Sequence, residues 1–553
     1  MSSKQALQES LGLEPLLNLL NSLGGWPMTL ESWNDDNLFS WQKTVATITR
    51  LYKTGILLEV FNLSDMKNTS QNIIYVSEAS FVLKRAELLN PNSEKNKIAA
   101  YTTFITEAAK QIRDGMKSAA TDHQIDKDVA DMLNFEFALA NITTIDEVPV
   151  NMEDFIKLLN PFSLKDFQSW TDNVKTATTY AKINWIQYLN DIYNFEAGIN
   201  ITENERIVAT NPAYFQKLIT LLNKTPLRTI ANYMHWNLVH HVSRKTNQRM
   251  MDLSLQFAGK TTALNKNKIC VDEANTFLGF AVGHANADTP PLDDKNDVTA
   301  MVTNVKTAFS SLLADATWIN SDNKAAYKAK VDDMVSNIAY PDWIMNKESL
   351  ESYYSLLSTS RMNYFGNYQN ASAFLNLQTF KKLREDSNRG KIFEHEKDQL
   401  AAYQKNYNTI YISANSLRYP FYKRDRLAAL NYGSIGFFIG HEIAHGFDKL
   451  GMVQLGTHGT SDWWDDTERT NYTNTLQCLM DQYGNYTSPS GMNLNAKITF
   501  NENVADNVGV RQAFRAYKQY IATNGVELKL PGLEEFTSEQ FFFLGVNCQL
   551  FLQ

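Results

Sequence analysis

Cysteine is scarce in this 553-residue chain, and its three thiols, Cys270, Cys478 and Cys548, lie far apart. That excludes a disulfide framework and a zinc site built on cysteines, and at most one disulfide could form. Buried free thiols are expected, because unpaired cysteine is among the most buried residue types. The shortage leans towards a reducing compartment. An excess of basic residues is also missing, with 52 Lys and Arg against 60 Asp and Glu and a net charge of -8. A nucleic-acid surface needs a basic stripe, so that class is set aside. Glycine and proline, at 24 and 13, are too few for a collagen-like or low-complexity chain. No apolar run spans a membrane: Leu427 to Gly440 is too short, and Met362 to Phe380 is interrupted by Asn, Gln and Ser. The opening segment MSSKQALQESLGLEP holds no apolar stretch of the signal-peptide kind. No repeat of solenoid period is visible.

What is present is an ordinary globular composition, 44% hydrophobic and 20% charged, on a chain long enough for two large lobes. The pattern is mostly helical. Lys97 to Ala120 places apolar residues at three- and four-residue intervals, and similar patterns recur over 174–195, 297–317 and 324–338. Strand signals are few, the clearest being Asn408 to Leu417, which alternates at Ile410, Ile412 and Ala414. Turn-rich breaks fall at Asn286 to Asp297 and Ser488 to Asn495. The first is acidic but lacks the ordered ligand spacing of a calcium loop. His240 and His241 are adjacent and so do not share a helix face; they read as a packed or surface pair. Gln540 to Gln553 is apolar and uncharged, and it reads as a stop inside a buried helix.

The sharpest feature is Gly440-His441-Glu442-Ile443-Ala444-His445. Histidines at i and i+4 share one helix face and can share one metal ion. The Glu between them sits beside metal-bound water, where a general base is needed. With nine histidines in the chain, the pattern arises by chance on the order of once in a hundred such sequences. A zinc site of this type needs a third ligand and an open position. Glu502 and Asp506 are again i and i+4. One can bind metal while the other orients a ligand histidine through its outer ring nitrogen. Asp448, three residues after His445, is a second candidate for orienting. The apolar flank of Ile498, Phe500, Val504 and Val508 makes burial of the acidic pair plausible.

The segment NYGSIGFFIGHEIAHGFDKLG, then Asp462 to Trp464, then ENVADNVG, resembles the neprilysin and endothelin-converting-enzyme family of zinc metallopeptidases. Gly25-Trp26-Pro27, Trp318 with Lys328, Tyr340-Pro341-Asp342, Tyr411 to Phe421 and Pro531-Gly532-Leu533 follow in the family's order. The resemblance implies one zinc ion per chain on His441, His445 and Glu502, with Glu442 as catalytic base and acid. It makes Asp506 the partner of a ligand histidine. It implies hydrolysis of small peptides on the amino side of hydrophobic residues. The fold implied is mainly α and two-lobed, with a thermolysin-like catalytic lobe carrying a small edge sheet and the HExxH helix. A helical cap lobe would face it across an internal cavity. The expected division is 1–30 with 375–553 for the catalytic lobe and 31–374 for the cap.

Three departures from the family stand out. The family continues beyond Gln553 with a histidine that stabilises the oxyanion and an arginine that holds substrate, whereas the last histidine here is His458. The family's substrate-binding Asn-Ala-Phe/Tyr segment reads Ala401-Ala402-Tyr403 here, without the amide's donor and acceptor. The N-terminal anchor and the cysteines after it are missing, although the family is extracellular or secreted. Cys270 and Cys478 sit at family positions, and Cys548 falls out of register with the position near Phe551. Three expectations follow: a zinc peptidase, a zinc-binding relative weak in catalysis that serves as a binding or structural component, or a piece of a longer peptidase.

Overall fold

The computed structural model describes residues 12–33, 39–65, 68–144, 159–260, 265–286, 292–385, 389, 400–448, 451, 466–488 and 491–550. Asp462 to Trp464, His458 and the Cys548 side chain lie outside them. The chain is mostly helical with two small sheets and is built on two large apolar cores.

The first core gathers α1 (Glu14–Ser22), α2 (Trp41–Tyr52), α3 (Lys95–Met116), α4 (Asp122–Ile142), α5 (Trp185–Tyr193) and α6 (Leu227–Val242). It is aromatic-rich, with Trp26, Trp41, Trp185 and Trp236 all fully buried. A four-stranded sheet lies against it, formed by β1 (Glu59–Asp65), β2 (Asn68–Ser77), β3 (Asn160–Ser163) and β4 (Arg206–Ala209) in the order β1-β2-β4-β3. β2 and β4 are parallel, and the outer pairs are antiparallel.

Helix α7 (Lys266–Asn286) then leaves this core. Its Glu273 is ion-paired to Lys245, while further along Phe280 packs on Trp343 at 4.8 Å. Between those contacts the backbone departs from helical geometry at Leu278 (φ -122, ψ 28). The second core starts with α8 (Leu292–Asp315), α9 (Ser321–Asp333) and β5 (Val335–Ala339). The chain next returns to the first core as α10 (Tyr364–Lys381), which buries Phe365 and Phe380 there. It goes back to the second as β6 (Ala401–Gln404), β7 (Thr409–Ser413), α11 (Ala428–Gly433), α12 (Ile435–His445), α13 (Phe500–Asn524) and α14 (Ser538–Leu550). The second sheet has the order β5-β7-β6, so β6 is an edge.

Three stretches pack on the other side of the expected division. Leu16 to Met28 and Phe380 to Leu383 belong to the first, helical core, and Val298 to Ile344 to the core that holds α12. Local patterns also differ in places. The helix expected over 174–195 begins only at Trp185, where the Asn184 side chain caps it by accepting from Gln187 N at 3.1 Å. Upstream, the backbone N–H groups of Ala177 and Thr178 donate to Asn223 instead of to helical carbonyls. The helical pattern over 324–338 turns into β5 from Val335, pairing in parallel with β7. Cys270 and Cys478 are exposed free thiols rather than buried ones. The apolar C-terminal run is half-buried: α14 buries Phe541, Phe542 and Val546 but exposes Phe543 and Leu544. Among the described residues no helix is long and apolar enough to cross a membrane.

Candidate metal centre

Two helices of the second core make the site. In α12 the residues Ile435 to Gly440 are all buried, as their unbroken apolar run dictates. That anchors the helix and leaves His441 and His445 half-buried on one face. α13 crosses α12 at two glycines. A Cβ on Gly440 would stand 2.7 Å from Gly509 O, and one on Gly509 would stand 2.8 Å from His441 N. Side chains at either position would hold the backbones apart. This contact lays the first two turns of α13, with Glu502 and Asp506, against the two histidines.

The ligand atoms converge. His441 Nε2 and His445 Nε2 are 3.0 Å apart. Glu502 Oε2 lies 3.4 Å from the first and 3.5 Å from the second. Each outer ring nitrogen meets a carboxylate: His441 Nδ1 donates to Asp506 Oδ1 at 2.9 Å and His445 Nδ1 to Asp448 Oδ2 at 3.0 Å. Ionised carboxylates only accept, so the hydrogens belong on Nδ1 and the Nε2 lone pairs face each other and Glu502. Three acceptors aimed at one point need a cation between them. Two imidazoles and one carboxylate are the donor set of a three-ligand zinc site. The residues therefore fit a zinc ion.

A proton is the alternative cation. Burial opposes charge on both imidazoles, but the carboxylate partners outweigh it and raise His441 to about 10 and His445 to about 9. At neutral pH the metal-free site holds at least one proton that zinc must displace. Apparent zinc affinity should therefore rise about tenfold per pH unit for each displaced proton and flatten only above about pH 10, where His441 is also neutral. Chelator competition at several pH values checks this, and a pH-independent affinity would mean that both imidazoles are already neutral.

The supporting groups differ in burial. Asp448 is fully buried. Burial alone would raise its pKa, but His445, the Lys405 ammonium at 3.3 Å and the Gly451 N–H at 2.7 Å hold it below the ordinary carboxylate value. Lys330, itself buried, donates to the Gly451 carbonyl. Glu502 and Asp506 are more open than their apolar flank suggested, with side chains 64% and 39% exposed, and Ile498 is 78% exposed. Glu442 is buried, and its carboxyl pKa is raised by that burial, against the pull of His441 and His445. Glu442 also accepts a hydrogen bond from the Tyr403 backbone.

That bond brings in the edge strand. β6 pairs with β7 in antiparallel register, Ala401 opposite Ile412, Ala402 opposite Tyr411 and Tyr403 opposite Ile410. Ser413 N–H donates to Leu400 O at 2.9 Å. Alternation along the ladder then turns the backbone groups of Ala401 and Tyr403 outward, away from β7. The Ala402 backbone pairs inward, and the Tyr403 hydroxyl is occupied with Asn408 Oδ1 at 2.9 Å. Sequence reasoning missed Lys405, Lys330 and Gly509. Only Gly509 left a signal, as a small residue seven positions after Glu502 on the same helix.

Comparison with known proteins bears on this arrangement. Two sequence profiles described as peptidase family M13 match residues 2–341 and 401–551. The chain is 30% identical to Neprilysin-2 of Drosophila melanogaster, over 98% of this chain and 70% of that protein. It is 31% identical to Endothelin-converting enzyme 1 of Bos taurus, over 97% of this chain and 69% of that one. Among solved structures it is similar to the zinc metalloprotease Zmp1 of Mycobacterium tuberculosis in complex with an inhibitor. The TM-score is 0.77 at 20% identity, covering 99% of this chain and 78% of that one.

Proposed function

The chain belongs to peptidase family M13, and from that premise we propose a zinc-dependent endopeptidase that cuts small peptides on the amino side of hydrophobic residues. The observation that carries this reading is the meeting of three ligand atoms with a buried carboxyl, Glu442, and the edge strand β6 at one place. His441, His445 and Glu502 would hold the zinc ion, which supplies a Lewis acid for the scissile carbonyl and for water. Glu442 acts as the proton carrier, taking a proton from the attacking water and returning it to the leaving amine. Its raised pKa suits a group that must be deprotonated first and protonated next. Asp506 and Asp448 fix the two imidazoles with Nδ1 protonated and Nε2 free. An extended peptide adds to β6 as a further strand, using the outward backbone groups of Ala401 and the carbonyl of Tyr403.

The test uses quenched fluorescent peptides that differ only after the scissile bond, Leu in one and Asp in the other. Zinc-loaded protein should cut the first at least about tenfold faster, a difference of about 1.4 kcal/mol. Chelation should stop cleavage and added zinc restore it. Equal rates on the two peptides would sink the preference, and a chelator-insensitive signal would sink the metal's role. Background signal throughout would favour a zinc-holding protein without hydrolytic activity, the reading to which the missing amide at Ala401 points.

A further inference from the structure

The first core carries an open cleft of about 260 Å3 that the zinc chemistry does not use. Its walls are apolar, with Leu51 from α2, Ile192 from α5 and Leu377 and Phe380 from α10. One cation lines it, Arg50 of α2. The Arg50 guanidinium lies under the Phe195 ring, 3.6 Å from the centroid, and Phe195 is 67% exposed. One N–H group, on Nη2, donates to Thr47 Oγ1 at 3.2 Å. Nε is buried and has no hydrogen-bond partner. Among the described residues Arg50 makes no ion pair. Glu196 and Asp191 act on it from farther away, and Asp191 already accepts from Gln187 Nε2 at 2.7 Å. A guanidinium offers five donors and is ordinarily matched to a planar anion when withdrawn from water. This one is half-withdrawn, lies against a ring, and its buried Nε has no partner.

We propose that this cleft binds a small apolar monocarboxylate, with its carboxylate on Arg50 and its body against Leu51, Ile192, Leu377 and Phe380. The volume sits below the range of drug-sized ligands, which starts at about 300 Å3. That limits the body to the size of a medium-chain alkanoate or an N-acylated apolar amino acid. Glu196, an exposed residue of the lining, repels anions in proportion to their charge, so dicarboxylates and phosphates are disfavoured more than a monocarboxylate.

Calorimetry on the zinc-loaded protein tests this with octanoate, octanol and N-acetyl-leucine as probes. Octanoate or N-acetyl-leucine should bind, and octanol should bind at least about tenfold more weakly than octanoate. Arg50→Met should weaken the acids by about tenfold to a hundredfold, the range of a hydrogen bond to a charged group. Ala373→Trp, which fills the cleft from α10, should abolish binding while Arg50 remains. An unchanged far-ultraviolet circular dichroism spectrum and unfolding midpoint in both variants establish that they are folded. Tighter binding of N-acetyl-leucine than of octanoate would identify a peptide-derived acid as the source, and the reverse a lipid-derived one; either upholds the proposal. No heat from either acid at millimolar concentration, equal binding of octanoate and octanol, or unchanged binding by Arg50→Met would overturn it.

Discussion

Glu442→Gln should lower peptide hydrolysis by about 10²–10⁴-fold, the usual contribution of a positioned general base, and leave one zinc per chain in place. The amide keeps the size of the carboxyl and can still accept from the Tyr403 backbone, but it cannot carry the proton between water and amine. Glu442 is not among the three converging ligand atoms, so metal content should not follow the rate. Turnover of a quenched peptide, measured beside zinc stoichiometry, separates the two effects. Loss of zinc together with activity would mean that Glu442 holds the metal. Retained turnover would place the proton transfer elsewhere.

The second large effect comes from a residue with no side chain. Gly509→Ala adds a methyl that would meet the His441 backbone N at 2.8 Å, so α12 and α13 must part. Overpacking of that kind costs about 1–3 kcal/mol. Because Glu502 and Asp506 ride on α13, zinc affinity should fall about 10–100-fold, as for loss of a group that orients a ligand, with every ligand still present. His445→Ala is the reference, since it removes a ligand outright. A site filled to a thousand times its Kd adds about 4 kcal/mol to stability. That zinc-dependent increment should vanish in His445→Ala and shrink in Gly509→Ala. Equilibrium unfolding with and without zinc reads both. Unchanged zinc affinity in Gly509→Ala would mean that the spacing of the two helices does not position Glu502.

The chemistry-bearing residues were the legible part of the sequence, and the reason is geometric. His441 and His445 announce themselves because four residues is one helical turn. Glu502 and Asp506 repeat that spacing, and residues alone leave open which one faces the metal. In the structure Glu502 lies at the Nε2 atoms and Asp506 at an Nδ1. That outcome depends on where α13 crosses α12, a tertiary fact set by two glycines. The four-stranded sheet was illegible for a different reason. β2 begins Asn-Thr-Ser-Gln-Asn before its apolar residues, so it shows no alternation, and its partner β4 contributes only four residues. The same competition misplaced the helix before Trp185, where Asn223, far along the chain, takes up the backbone donors that a helix would have used. The thiols ran against expectation because Cys270 and Cys478 lie on exposed positions of helices rather than in either apolar core.

The interleaving of the two cores has a consequence for the order in which the molecule is made. Synthesis delivers the chain from its N-terminus. The helical core has most of its parts once Met250 has emerged, yet it must wait for Phe365 and Phe380 of α10 to close its last face. By then α8, α9 and β5 have appeared without β7 or α12 to cover them. Neither half can mature on the ribosome before the other has begun. The nascent chain therefore exposes two unfinished apolar surfaces at once, and chaperones that shield such surfaces should meet it most strongly between the emergence of α8 and that of α12.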